Sequence, residues 1–270
     1  MKQLFFLTAM LTLLACQPSN TNTPNDEPDT TPRAKTETAT KTHDQAHSAV
    51  KISPISHASF VLHLDSLQIF VDPVNVEAFK SYGTPNYLLV TDIHGDHFQA
   101  DVLSQLSSSE QRIIAPQAVF DQLPVELQSR TLVLNNGQSE QLQDSLQLKA
   151  MPMYNITKER LDKHPKGRGN GYIVTYKDYS VYISGDTEDI TEMRALEHID
   201  LALVCMNLPY TMDVNQAAEA VLDFKPKKVM PYHYRGRKEG KPYYEDVEKF
   251  KAIVTEKDQT IKIELLDWYE

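Results

Sequence analysis

The segment Thr91-Asp92-Ile93-His94-Gly95-Asp96-His97-Phe98 places two imidazoles and two carboxylates in a single short loop, directly after the apolar run Tyr87-Leu88-Leu89-Val90. Nitrogen and oxygen donors packed this densely suit zinc and its first-row neighbours, whereas magnesium or calcium favours oxygens alone. One histidine beside one aspartate would read more simply as a polar turn whose groups hydrogen-bond locally. Two further donors in the same context weigh against that reading: Asp186 in Ile183-Ser184-Gly185-Asp186-Thr187, and His233 in Val229-Met230-Pro231-Tyr232-His233-Tyr234. Each follows an apolar, strand-like run, so a buried element can aim each of them inward from its end. Gly95 lets the first loop turn tightly between its donors.

These residues carry a family resemblance. Asp92-Ile93-His94-Gly95-Asp96-His97 resembles the HxHxDH signature of the metallo-β-lactamase superfamily; Ser184-Gly185-Asp186-Thr187 is similar to its glycine-aspartate motif, and Met230-Pro231-Tyr232-His233-Tyr234 to its closing histidine. The likeness covers almost all of residues 51–270, including His57-Ala58-Ser59-Phe60 and Val71-Asp72-Pro73, and is to the lactonase-like and phosphodiesterase-like branch. It implies an α/β fold, a four-layer αββα sandwich, with ligands on loops along one edge of the sheets. It also implies a metal site built from Asp96, His97, Asp186 and His233, with Asp186 bridging toward a second site that keeps His94.

Two positions depart from the pattern. Asp92 stands where the first histidine of the signature is expected, and its anionic oxygen can replace the imidazole, which makes Asp92 a sixth candidate ligand. No histidine stands at residues 151–155, where the third motif falls. Asn155 can offer a carbonyl oxygen there, and His164 is a candidate substitute, although beside Pro165 and two basic residues it reads first as a surface-loop histidine. His57 resembles a site-adjacent histidine that orients ligands by hydrogen bonding rather than one that ligates.

The expected chemistry is hydrolysis of an ester, lactone or phosphodiester by a metal-activated water. Zinc is the expected cation, as one or two ions, with manganese or iron(II) as alternatives; zinc-bound water can reach a pKa of ~7, so hydroxide is available at neutral pH. By the same resemblance Asp96 orients the attacking water, and Tyr210, Tyr234 or Arg235 near the last ligand stabilises a developing anion. The fold alone does not fix a reaction. A non-catalytic metal-binding or scaffold lipoprotein that retains the fold is the alternative, and a tethered binding protein for an acidic ligand is a third.

A formal charge of −10 argues against nucleic-acid binding, which needs a basic footprint. The expected partner is a small-molecule substrate. Two local basic groups, Lys163 with Lys166 and Arg168, and Arg235 with Arg237 and Lys238, leave room for an anionic one, although each member singly reads as solvated loop charge. At the amino end, Lys2, an apolar stretch over residues 4–14 too short to span a bilayer, and Leu13-Leu14-Ala15-Cys16 form a targeting signal that resembles a bacterial lipobox. Residues 17–49 are rich in Thr, Pro, Asn and charge and cannot bury enough apolar surface to fold. The expected organisation is a lipoprotein signal peptide over residues 1–15, a flexible polar tether over 16–49 and one globular domain over 50–270. Lipid on Cys16 would hold a periplasm-facing protein to the cell envelope, and Gln17 after it resembles outer-membrane sorting. Cys205, the other of two cysteines, sits in an apolar run and reads as a packed, inert thiol.

The elements that must position these residues are short. Strand-like runs fall at 61–64, 68–71, 87–90, 112–115 and 146–151, with helical patterns at 100–106 and 118–123. Residues 171–183 read as a hairpin around Lys177-Asp178, its tyrosines packing on a sheet face. Asp213 with Gln216 marks a capping-box helix start; Val214, Ala217, Ala218, Val221 and Leu222 then share one face until Pro226 stops the helix. A strand over 228–232 delivers His233, and a helix over 246–254 and a strand over 261–266 close the chain.

Overall fold

The computed structural model describes residues 50–269; the expected signal peptide, the tether and Cys16 lie outside the described residues. The first half forms a six-stranded sheet in sequence order: β1 (Val50–Ser56), β2 (Ser59–Leu64), β3 (Leu67–Val71), β4 (Tyr87–Leu89), β5 (Arg112–Ala115) and β6 (Thr131–Val133). The first three strands pair antiparallel, and β3 to β6 run parallel.

The second half follows the same plan. In its seven-stranded sheet β7 (Ser139–Gln143), β8 (Leu146–Met153), β9 (Gly169–Tyr176) and β10 (Tyr179–Ile183) pair antiparallel, and β11 (Leu201–Cys205) and β12 (Lys228–Tyr232) continue parallel to β10. A separate hairpin, β13 (Arg235–Lys238) and β14 (Lys241–Tyr244), follows β12 before β15 (Lys262–Ile263) closes the sheet edge.

Side-chain alternation along the strands explains the layering. Phe60, Leu62, Ile69, Val71, Leu89 and Ile114 face the core shared with the second sheet, whereas Val61, Phe70, Leu88 and Ile113 face the opposite way. That outer face is covered by Val102, Leu103 and Leu106 of helix Ala100–Leu106. On the second sheet, Ala217, Ala218, Val221 and Phe224 of helix Val214–Phe224, with Phe250 and Val254 of helix Val247–Lys257, provide the matching cover. Helices, sheet, sheet and helices are the expected four-layer αββα arrangement.

The long helix starts and stops as its sequence dictates. Asp213 accepts from Gln216 N at 2.9 Å while the Gln216 side chain accepts from Asp213 N at 3.1 Å, and Lys225 turns left-handed (φ 45°) just before Pro226. Two elements are shorter than the pattern suggests: helix Gln117–Phe120 occupies part of 118–123, and only Lys262–Ile263 of 261–266 is a strand. Strand β7 and the β13–β14 hairpin went unread in the sequence. Both are polar and largely exposed, so no buried face imposes an alternation on them.

Candidate metal centre

The donors gather at the carboxyl ends of neighbouring strands. Asp72 follows β3, residues 91–97 follow β4, Asp186 follows β10, Asn207 follows β11 and His233 follows β12. The β1–β2 turn adds His57, and the connection from β8 to β9 adds His164 and Arg168. Three of these residues hold left-handed backbone without being glycine: His57 (φ 59°), Asp72 (φ 45°) and His233 (φ 49°). Such conformations cost on the order of 1–3 kcal/mol each and persist where the surroundings over-determine them. Among the described residues, three of the eight non-glycine positions with left-handed backbone lie at this centre.

His97 is wholly buried, and its Nδ1 lies 2.8 Å from Asp72 Oδ2. Asp72 is itself anchored by Thr91 N at 2.8 Å and Thr91 Oγ1 at 2.6 Å, the arrangement by which a carboxylate orients a ligating imidazole. That leaves His97 Nε2 pointing at His233 Nε2, 3.0 Å away. Asp186 reaches both, with Oδ2 at 3.4 Å from His97 Nε2 and Oδ1 at 3.1 Å from His233 Nε2. Asn207 fixes the other edge of His233, its amide 2.9 Å from Nδ1.

Asp96 and His57 stand beside this trio. Asp96 Oδ2 is 3.5 Å from His233 Nε2 and 3.1 Å from His57 Nε2, and His57 Nδ1 is held by the Tyr269 hydroxyl at 2.9 Å. His57 thus touches the candidate ligand Asp96 directly, the contact an orienting role requires.

His164 corrects the surface reading of its loop. It is buried, with Nε2 3.1 Å from Asp186 Oδ2. Nothing in the sequence near Pro165 carries a signal for that burial; the long β8–β9 connection folds it inward. Glu188 holds the same connection in place, its Oε2 accepting from Ile156 N at 2.7 Å and Thr157 N at 2.6 Å.

The charges of the centre are strongly coupled. Burial opposes protonation of His97, but Asp186, Asp72 and Asp96 outweigh it and raise its pKa well above the usual imidazole value. Burial, reinforced by His57 and His97 against the pull of Asp186, lowers His233 to about 3. Burial likewise opposes the charge on Asp186, yet His233, His97 and His164 hold its carboxyl well below the usual range. Of the two rings, His97 is therefore the one that favours the charged form without a metal.

These groups fit a divalent cation. Both ring nitrogens of His164 and Oδ1 of Asp186 are buried without an aligned hydrogen bond, and each such orphan costs about 1–3 kcal/mol. His97, Asp186 and His233 can present ligand atoms within 4.8 Å of one another, as can His57, Asp96 and His233. Imidazole with carboxylate is the donor set of zinc and its first-row neighbours.

Asp92 is differently placed from the open ligand expected of it. Arg168 binds it through two parallel contacts, Nε to Oδ1 at 3.1 Å and Nη2 to Oδ2 at 2.8 Å, and His94 Nδ1 adds a third at 2.9 Å. Burial opposes the Asp92 charge, but the His94 and Arg168 hydrogen bonds overcome it and lower the pKa. Arg168 is therefore no solvated loop charge. Its partner lies 76 residues away in the chain, beyond the reach of any spacing rule.

Above the donors opens a cavity of about 490 Å³, lined by His57, His94, Asp96, His164 and Asp186 and flanked by Lys163, Tyr210, Arg235, Arg237 and Tyr244. That size admits a small molecule. The β13–β14 hairpin supplies its basic flank and sits close on the loop after β11: a Cβ at Gly236 would lie 1.8 Å from the Leu208 carbonyl oxygen. Of the groups expected to steady a developing anion, Arg235 and Tyr210 line the cavity. Tyr234 is not among the lining residues and packs edge-on against Tyr269 at 4.8 Å. Asn155 donates to the Arg160 and Tyr210 carbonyls at 2.9 and 2.7 Å, so its amide nitrogen secures the loop.

A family model described as a β-lactamase superfamily domain matches residues 51–233. This chain belongs to the metallo-β-lactamase superfamily. Within the superfamily it is similar to a protein of Pyrococcus horikoshii named a UPF0173 metal-dependent hydrolase, 29% identical over 224 residues that span 78% of this chain and 95% of the relative. A solved structure from Parabacteroides distasonis, described with a qualifier as a metal-dependent hydrolase, is 35% identical with a TM-score of 0.71 over 82% of this chain and 94% of that one. A metallo hydrolase from Ignicoccus hospitalis shares the superfamily fold at 23% identity, TM-score 0.67, over 82% of this chain and 96% of its own.

Proposed function

We propose that this superfamily member is a metal-dependent hydrolase that acts on a small anionic ester, lactone or phosphodiester. The observation that carries the reading is the meeting of His97, His233 and Asp186 at one buried point, with Asp186 lining a cavity that has a basic flank. A zinc ion bound there would supply Lewis acidity and bring the pKa of a water molecule to ~7; manganese or iron(II) suits the same donors.

The chain's own residues supply the rest. His97, Asp186 and His233 would hold the ion, and Asp72 keeps the His97 proton on Nδ1 so that Nε2 faces inward. Asp96, 41% exposed where the donors meet the cavity, is placed to accept a hydrogen bond from the attacking water and orient its lone pair. His57 holds Asp96 from the other side. Arg235 and Tyr210 offer donors to negative charge developing on the substrate, and Lys163 and Arg237 favour an anionic group at the mouth.

The resemblance of the amino end to a lipobox supports a further part of the proposal, a bacterial envelope protein anchored by lipid on Cys16. The experiment that tests the function offers the purified protein an ester, lactone and phosphodiester panel before and after chelation. Turnover of at least one substrate that collapses on chelation and returns with zinc is expected; turnover indifferent to chelation would contradict the metal dependence, and no turnover with metal bound favours the non-catalytic alternative.

A further inference from the structure

Asp92, His94 and His164 form a second cluster whose ligand atoms lie within 4.8 Å of one another. A guanidinium already stands inside it. Besides its two contacts with Asp92, Arg168 Nη2 lies 3.2 Å from His94 Nε2 and donates to the Lys163 carbonyl. The arginine side chain is only 17% exposed and Asp92 is fully buried.

The contacts occupy two of the three members, Asp92 and His94, and leave His164 alone. Both Asp92 oxygens accept from Arg168, His94 Nδ1 faces Asp92 Oδ2, and His94 Nε2 faces Nη2. The Asp92 carboxylate only accepts, so Nδ1 carries the His94 imidazole proton and the lone pair lies on Nε2. A metal ion approaching that lone pair meets the permanent guanidinium charge of Arg168 at 3.2 Å. His164, the remaining member, directs Nε2 toward Asp186 in the first cluster.

We propose that Arg168 takes the place of a second cation, so that this is a one-ion centre held by His97, Asp186 and His233. The guanidinium neutralises Asp92 and fixes His94 at the cavity wall. A second dication would have to displace a buried bidentate pair and settle against a permanent positive charge at hydrogen-bond distance. With the guanidinium removed, Asp92, His94 and His164 become a carboxylate and two imidazoles free to bind zinc. The inference depends on the metal-dependent reading above, which it sharpens from one or two ions to one.

The test is elemental analysis of the full chain and of Arg168→Met, each loaded with excess zinc and desalted. One zinc per chain is expected in the natural protein and a doubling to two in the variant. Electron paramagnetic resonance of the manganese-loaded natural protein gives an independent reading should the variant fail to fold, with an isolated ion expected. Two zinc ions or an exchange-coupled manganese pair in the natural protein would overturn the inference and leave the hydrolase reading standing. A folded Arg168→Met that still takes one zinc would overturn it too. A natural protein that takes no metal would sink the hydrolase reading, and this inference with it.

Discussion

His97 Nε2 and His233 Nε2 face each other across 3.0 Å inside the protein, each with its opposite ring nitrogen already held, one by Asp72 and the other by Asn207. Two ring nitrogens this close need a hydrogen or a metal ion between them. In the metal-free chain it is a hydrogen, and His97 is the ring that favours the charged form, because Asp186, Asp72 and Asp96 overcome burial to raise its pKa while His233 falls to about 3.

Metal binding must therefore displace that proton. Below the raised His97 pKa the proton competes with the metal, so affinity falls as pH falls, by up to about tenfold per pH unit for one proton displaced. Titration calorimetry of the metal-free protein in buffers of different ionisation enthalpy should show about one proton released per zinc. An affinity independent of pH from 5 to 8 would contradict this shared-proton account.

Asp72 touches no substrate-facing surface, yet it holds His97 in register through Nδ1. Asp72→Asn should leave the circular dichroism spectrum intact and weaken zinc binding by ~10–100-fold, the usual cost of losing such a partner. Competition against a chromogenic chelator would measure it.

How much of this centre is visible in the sequence depends on how locally each residue is held. The loop from Thr91 to Phe98, Asp186 and His233 stand out because each directly follows a buried strand, and strands β4, β10 and β12 deliver them. The helix beginning after Asp213 is equally legible, since a capping box is a local pattern. Arg168 and His164 are not. Their roles depend on pairing with Asp92 and Asp186, residues 76 and 22 positions away in the chain, the first across two sheets and the second across a long connection, neither of which sequence periodicity can juxtapose. The β13–β14 hairpin is hidden for another reason: charged, exposed strands such as Arg235–Lys238 lack the buried face that makes a strand readable.

Arg235 lines the cavity mouth. Arg235→Ala should raise KM for an anionic substrate by roughly 10–100-fold, the range expected for losing a hydrogen bond to a charged group, and change KM for a neutral analogue of the same ester far less. Equal effects on both would show that the basic flank does not read charge.

Cys205 is sealed from solvent, its Sγ 3.5 Å from the Thr187 carbonyl, and burial pushes its pKa up to about 12. In a Cys16→Ser chain, a thiol-reactive chromogen should label nothing under native conditions at pH 8 and label one thiol after denaturation. Rapid native labelling would mean that β11 is not packed between the layers as described.

The most direct trial of the metal centre is Asp186→Ala, because Asp186 alone reaches His97, His164 and His233 together. Metal content and turnover are measured on the same folded sample. The account predicts that the variant retains no zinc after desalting and loses hydrolysis, while the natural protein keeps at least one ion per chain. A folded Asp186→Ala with full metal content and undiminished turnover would contradict it.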